Sequence, residues 1–317
     1  MKPITSAFLI GSALTLMACG PAGRDGELGG DDMPGDDGSG GGGGGSGVAR
    51  TCSKMDLVFV VDDSGSMSEE QGNLAQNFPM FASVLQSYVN ADGEHIDFRV
   101  AVTTTGKDIT YTVNLGGTSF PMTERGPDGA FFKNCNVPTA WLDNTTPNLG
   151  TVLGCRANVG TGGTSYEMPL LMTKHALDER IADGKNAGFL RDDALLGVVM
   201  LTDEDDSSST QSSFTIDASN PNSGPTIDFG PAETIQFLDT LKGHRSRWAA
   251  GVIAGETSCN SSFGNAAEAT RLKQFVQMTN SNGTPQAVFS SICAGNLTQA
   301  LSDVLAKFQS ACGGIIL

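Results

Sequence analysis

The chain is expected to fold as an α/β protein, a doubly wound and mostly parallel sheet of six strands with helices on both faces. Three observations carry that reading. Several short runs are almost wholly apolar and rich in β-branched residues, as in strands covered on both faces. Between them lie stretches whose apolar residues recur every three or four positions, the spacing of amphipathic helices. Outside one Gly-rich stretch near the amino end, the composition is that of an ordinary globular protein, and 317 residues suffice for one large or two modest domains.

Residues 1–18 are expected to be an address rather than structure. Lys2 supplies a positive start, and 7–18 is an apolar run too short to span a bilayer as a helix. It ends in Leu16-Met17-Ala18-Cys19-Gly20, which resembles the lipobox of bacterial lipoproteins, with Cys19 as the lipidated first residue of the mature chain. Met17 departs from the commonest residue there. Buried acyl methylenes contribute roughly 0.8 kcal/mol each, so a diacylated end would hold firmly. Gly20 rather than Asp after the cysteine favours the outer membrane. The other reading is plain secretory cleavage after Ala18, leaving Cys19 a spare thiol. Residues 19–50, rich in Gly and Asp and without an aromatic, read as a flexible tether reaching about 30 Å.

The expected domain is 51–317. Run 55–61 (MDLVFVV) reads as a central strand. A helix follows, with Leu74, Phe78, Phe81 and Leu85 on one face. Ser68-Glu69-Glu70-Gln71 at its start matches a capping box, and the acidic pair suits the positive end of the helix dipole. Strands are expected at 98–104 (FRVAVTT) and, by alternation, at 109–115 (ITYTVNL), the latter on a sheet edge. Residues 166–183 read as a helix with Pro169 in its first turn. Then come strand 195–201 (LLGVVML), helix 232–241, strand 248–254 (WAAGVIA), helix 266–279 and strand 287–292 (AVFSSI). The last helix carries Leu297, Leu301, Val304, Leu305 and Phe308 on one face. In such sheets, ligands sit beyond the carboxyl ends of the strands, where the strand order reverses. Two stretches resist the pattern. An insertion at 116–159, with Phe120, Phe131, Phe132 and Trp141, is too long for an ordinary connection. It either sets partner choice or forms a small aromatic core. Stretch 205–231, rich in Ser, Asn and Pro, is expected to be mobile.

Charge and motifs narrow the function. With 35 acidic against 19 basic residues the net charge is −16, so nucleic acid is not an expected partner. Nor is an enzyme expected: His95, His175 and His244 are scattered, and no phosphate loop, G-x-S-x-G or H-E-x-x-H motif occurs. The loops after the strands carry the signal. Asp62-Asp63-Ser64-Gly65-Ser66 directly follows the first strand, Gly160-Thr161-Gly162-Gly163-Thr164 precedes a helix, and Thr202-Asp203 follows 195–201. In this order and context the three motifs resemble the metal-ion-dependent adhesion site of von Willebrand factor type A domains, over about 51–312 of the chain. The resemblance implies a divalent cation, Mg²⁺ or else Ca²⁺ or Mn²⁺, held by Asp62, Ser64, Ser66, Thr164 and Asp203. It also implies a protein ligand that contributes an Asp or Glu carboxylate.

Coordination chemistry points the same way. Mg²⁺ takes six oxygens, dehydrates reluctantly and keeps waters beside one or two carboxylates. Ser64 and Ser66 on a tight turn present two hydroxyls, and Thr164 a third; Asp62 and Asp203 anchor the ion, through waters in the family pattern. An ion held mainly by neutral hydroxyls stays short of negative charge and takes a carboxylate from outside. Two departures from the family stand out: Asp63, where Thr is frequent, and Glu204, where Gly is typical, with Asp205 and Asp206 next. Asp63, Glu204 and Asp205 are accessory acidic candidates for tighter binding, for Ca²⁺ or for a second cation. By default Asp205 and Asp206 are expected to face solvent.

Setting Cys19 aside leaves six cysteines, an even number that suits disulfides in an exported chain and shows no zinc-site spacing. On the inferred strand order Cys52 pairs with Cys312 at the domain ends, Cys259 pairs with Cys293 beside neighbouring strands, and Cys135 and Cys155 remain. The expected function is that of an exported outer-membrane lipoprotein, anchored by lipid, that binds a protein ligand through the cation. The alternatives are an envelope scaffold whose cation only stabilises it and, less favoured, a metal-dependent hydrolase using the acidic cluster.

Overall fold

The structure is a computed structural model that describes residues 52–314 apart from 221, 262, 263, 282, 284 and 296. The expectations for 1–18, for Cys19 and for the 19–50 tether therefore lie outside the described residues. The elements are β1 (Lys54–Val61), α1 (Ser68–Ser87), β2 (Asp97–Thr104), β3 (Ile109–Leu115), β4 (Thr118–Glu124), β5 (Leu142–Asp143), α2 (Leu149–Ala157), α3 (Pro169–Leu177) and α4 (Glu179–Ala182). They continue as β6 (Leu195–Leu201), β7 (Ser213–Asp217), α5 (Pro231–Lys242), β8 (Trp248–Ala254), β9 (Cys259–Ser261), β10 (Gly264–Ala266), α6 (Thr270–Thr279), β11 (Ala287–Ser291) and α7 (Thr298–Gly313).

Six strands form the main sheet in the order β11-β8-β6-β1-β2-β5, parallel except for β5. From β1 the chain steps outward first one way and then the other, so the order reverses between β1 and β6. Alternate residues of β1 feed two cores, as a strand covered on both faces must. Leu57, Phe59 and Val61 pack with Phe78 and Phe81 of α1 and Leu301 and Phe308 of α7. Val58 and Val60 pack with Leu170 of α3, Leu238 of α5 and Phe275 of α6. Each large side chain so buried stabilises the fold by about 1.5–3 kcal/mol relative to exposure. The Phe59, Phe78 and Phe81 rings meet edge to face at 5.0, 5.3 and 6.0 Å. Helix α7 lies close on β8 because Gly251 has no side chain; a Cβ there would sit 2.3 Å from Val304 Cγ2.

Several expectations are corrected. Residues 109–115 form strand β3, but in a separate sheet ordered β4-β3-β7, antiparallel to β4 and parallel to β7. The sixth place in the main sheet goes to Leu142–Asp143, a pair too short to show in a hydropathy pattern. Stretch 205–231 contributes β7, and buried Lys107 holds the preceding turn by donating to the carbonyls of Ser209, Thr210 and Gln211 at 3.1, 2.8 and 3.2 Å. The Ser68 capping box does not form. A 3₁₀ turn at Gly65–Met67 leads into α1, Met67 takes the cap position, and the Ser68 hydroxyl donates to Glu69. Stretch 166–183 divides into α3 and α4, with Pro169 in the first turn of α3. Residues 264–266 belong to β10, and α6 begins at Thr270.

Insertion 116–159 is divided between two fates. Phe131 and Trp141 pack on Phe189 at 4.8 and 6.3 Å, and Phe132 lies against the first core, whereas Phe120 on β4 stays exposed. Disulfides join Cys52 to Cys312, Cys135 to Cys155 and Cys259 to Cys293, the pairs that the strand order implied. Among the described residues, no helix is long and apolar enough to cross a membrane.

Candidate metal centre

Three loops meet at the carboxyl edge of the sheet, beyond the reversal between β1 and β6. The backbone ladder runs on into two of them: Asp62 N–H donates to Leu201 O at 2.8 Å, and Thr202 N–H to Ile253 O at 3.1 Å. Asp62, fully buried, then shapes the turn with both carboxylate oxygens. Its Oδ1 accepts the Ser64 N–H at 2.8 Å and its Oδ2 the Thr202 hydroxyl at 2.6 Å. The turn aims Ser64 Oγ and Ser66 Oγ to within 2.9 Å of each other, and Ser66 Oγ donates to Asp203 Oδ1 at 3.2 Å. The third loop is bolted on by Gly163 N–H, which donates to Asp63 O at 2.7 Å, and by Gln71 Nε2, which bridges Asp62 O and Gly160 O at 2.8 and 2.9 Å. Thr164, on this third loop, is buried, but its hydroxyl donates to Tyr166 O at 3.3 Å. No hydrogen bond joins it to Ser64, Ser66 or Asp203 among the described residues.

The electrostatics are one-sided. Burial pushes the Asp62 carboxyl above its ordinary range despite its two hydrogen bonds. Burial, then the charge of Asp62, raises Asp203 to about 7, and burial raises Asp63 to about 6. Glu167 reaches about 9 through burial and the charges of Asp62 and Glu204, with whose carboxyl it shares a hydrogen bond. The groups acting on these four are hydroxyls, backbone and other carboxylates, with no lysine or arginine among them. Buried negative charge without a counter-charge is costly. In addition, Asp63 Oδ1 is buried without a hydrogen-bond partner among the described residues.

The donor set fits a small divalent cation. Neighbouring oxygens of an octahedron with metal–oxygen distances of about 2.0–2.1 Å lie about 2.9 Å apart. The Ser64–Ser66 separation of 2.9 Å equals that edge, and the Ser66–Asp203 separation of 3.2 Å is longer, the edge for metal–oxygen distances of about 2.3 Å. Among the described residues, no group of three or more His, Cys, Asp or Glu side chains is arranged to hold a metal, so a site here depends on the hydroxyls.

Asp205 and Asp206 do not face solvent as expected. Asp205 accepts the Arg271 N–H at 3.0 Å with both oxygens and the Leu272 N–H at 3.3 Å, at the amino end of α6. Buried Asp206 accepts the Leu170 N–H at 3.1 Å in the first turn of α3, and pairs with Arg271 at 3.2 Å. Carboxylates satisfy the orphan donors of helix amino termini, which favour negative charge. Asp205 is thus engaged at a helix, while Glu204 is exposed. Sequence reading missed Thr202, Gln71 and Glu167. Thr202 directly precedes Asp203 and was legible as a strand-end hydroxyl; the roles of the other two arise from contacts remote in sequence.

No protein-family model and no curated protein matches this chain. Solved structures do. Proximal thread matrix protein 1 from the mussel byssus is 13% identical over 83% of this chain and 49% of its own, with a TM-score of 0.41. The pilus adhesin SpaC from Lactobacillus rhamnosus GG is 10% identical over 83% of this chain and 31% of its own, at 0.42. The manganese-loaded TRAP protein of Plasmodium vivax is 12% identical over 81% of this chain and 74% of its own, at 0.36. The chain spans half or less of the length of the first two.

Proposed function

We propose that the chain binds a protein ligand through a divalent cation held at Ser64, Ser66, Thr164 and Asp203, with Asp62 fixing the turn. One observation carries the proposal: two hydroxyls and a carboxylate converge within 2.9 and 3.2 Å of one another on an edge where buried carboxylates lack a counter-charge. When bound, the cation supplies a positive point of attachment for a ligand carboxylate. Ser64 and Ser66 present neutral oxygens, and Asp203 supplies charge. Asp62, with both oxygens engaged by Ser64 and Thr202, orients the turn. Thr164 would have to give up its hydrogen bond to Tyr166 O to join them. The resemblance of the three motifs to type A adhesion sites supports this reading, as does their place at the strand-order reversal. Residues 1–50 add the further proposal of an exported chain anchored by lipid at Cys19.

Manganese titration followed by electron paramagnetic resonance tests the site. The intact chain is expected to bind Mn²⁺, competed by Mg²⁺, and Asp203→Ala to bind roughly tenfold or more weakly. Ligand capture from envelope or matrix extracts should then require the cation. Capture that persists in EDTA and in Asp203→Ala would sink the proposal. A melting shift with metal but no cation-dependent partner would instead favour a scaffold.

A further inference from the structure

Seven large apolar side chains are exposed among the described residues, and three of them, Leu115, Phe120 and Met122, share the β3–β4 hairpin. Strand register gathers this hairpin's apolar residues on one face. Val113 stands opposite Phe120 and Ile216, and Tyr111 opposite Met122 and Phe214. Alternation gives the other face Thr110, Thr112, Thr123, Ser213 and Thr215. The apolar face is covered at one end only. There Ile109 is buried, Tyr111 stacks on Phe214 at 5.2 Å, and both rings meet Tyr166 edge on, at 6.2 and 5.3 Å. Leu115 and Phe120 toward the hairpin turn are 59% and 46% exposed, and Met122 on β4, opposite Tyr111, is 45% exposed.

The covered end is braced to the cation loop. Glu124, at the end of β4, accepts the Ser165 N–H at 2.7 Å, the Ser165 hydroxyl at 2.6 Å and the Tyr111 hydroxyl at 2.7 Å. Ser165 directly follows Thr164. The apolar sheet face is therefore joined to the loop that carries Thr164 through Tyr111, Tyr166 and Glu124.

We propose that this face is the second half of the ligand surface. It takes an extended segment of a partner protein whose apolar side chains lie along Val113, Phe120 and Met122, while an acidic residue of the same segment reaches the cation beside Thr164. This rests on the cation reading above. The chain's own 19–50 stretch is a poor occupant, since its large apolar residues, Leu28, Met33 and Val48, are too widely spaced to line one strand. An anionic membrane is disfavoured by the net charge of −16.

The test is a random peptide library displayed on phage, panned on the full chain in Mg²⁺ and eluted with EDTA. Mn²⁺ affinity is measured separately. Expected are peptides that combine an acidic residue with apolar residues at alternate positions. A synthetic copy should bind the Phe120→Ser, Met122→Ser variant roughly tenfold or more weakly, with Mn²⁺ affinity unchanged. Equal binding to wild type and variant, or recovery of no such peptide while Mn²⁺ still binds, overturns the inference and leaves the cation reading standing. Sedimentation with phosphatidylglycerol vesicles that is lost in the variant overturns it in favour of a membrane. Failure of wild type to bind Mn²⁺ overturns both.

Discussion

Gly163 and Gly65 stand in two of the loops that build the candidate centre, and their surroundings differ sharply. A Cβ on Gly163 would lie 2.2 Å from Asp63 Cγ and Oδ1 and 2.7 Å from the Asp63 carbonyl oxygen. The carboxylate can swing aside. The carbonyl cannot, because it accepts the Gly163 N–H at 2.7 Å and so holds the two loops together. A Cβ on Gly65 finds only Thr161 O, at 4.0 Å, and neither glycine has a left-handed φ. Overpacking of this kind costs about 1–3 kcal/mol. In a domain of this size each kcal/mol lowers Tm by about 2–4 °C, so Gly163→Ala should melt roughly 2–12 °C lower. Gly65→Ala should stay within about 0.5 kcal/mol of wild type. Urea unfolding in EDTA measures both, and Mn²⁺ titration should show weakened binding in Gly163→Ala alone. Equal losses in the two variants would refute the steric reasoning. Intact Mn²⁺ affinity in a destabilised Gly163→Ala would show that the loop junction does not shape the centre.

Other perturbations test the frame around it. Burial pushes Asp206 from 3.8 up to about 6, so the folded chain keeps this proton where the unfolded chain has lost it. The resulting stabilisation is complete below the lower value and disappears as pH rises through 6, a change of about 3 kcal/mol. Asp206→Asn should flatten the urea-derived stability between pH 4 and 6; an unchanged slope counts against burial as the cause. Cys52–Cys312 spans 260 residues and Cys135–Cys155 spans 20, so chain entropy assigns them about 5.5 and about 3 kcal/mol. Double alanine variants that lose equal stability would contradict that ranking. Gly251→Ala should destabilise by about 1–3 kcal/mol through Val304, whereas Gly72→Ala on α1, with nothing within 4 Å, should gain about 0.5–1 kcal/mol; thermal melts distinguish the two.

Strands β1, β6 and β8 were legible because both of their faces are buried, which leaves an unbroken apolar run. The alternation in 109–115 reported a half-covered strand correctly and could not say which sheet it joins, since pairing partners are set by contacts far along the chain. Leu142–Asp143 is too short to carry a pattern. The Ser68 capping box was a local signal overridden when the preceding 3₁₀ turn moved the cap to Met67. Solvent exposure of Asp205 and Asp206 was inferred from charge alone and failed because Arg271, 65 residues or more away, brings α6 onto them. At the centre, Asp62, Ser64, Ser66 and Asp203 were readable as a motif and are joined in the structure by hydrogen bonds, directly or through Thr202. Thr164 lies on the loop that Gly163 joins to Asp63, but its hydroxyl bonds Tyr166 O, a contact that no sequence pattern encodes.

Cys52 lies two residues before β1, and Asp62 follows it at once. Tension applied between the amino side of the chain and anything seated on the carboxyl edge therefore runs lengthwise through β1. Parallel ladders to β2 and β6 flank that strand over most of its length, so the load meets them in shear, where many bonds yield together rather than in sequence. The crosslink to Cys312 diverts part of the pull into α7. Were the chain anchored through its amino side, the strand that supplies the floor of the site would also be its mooring.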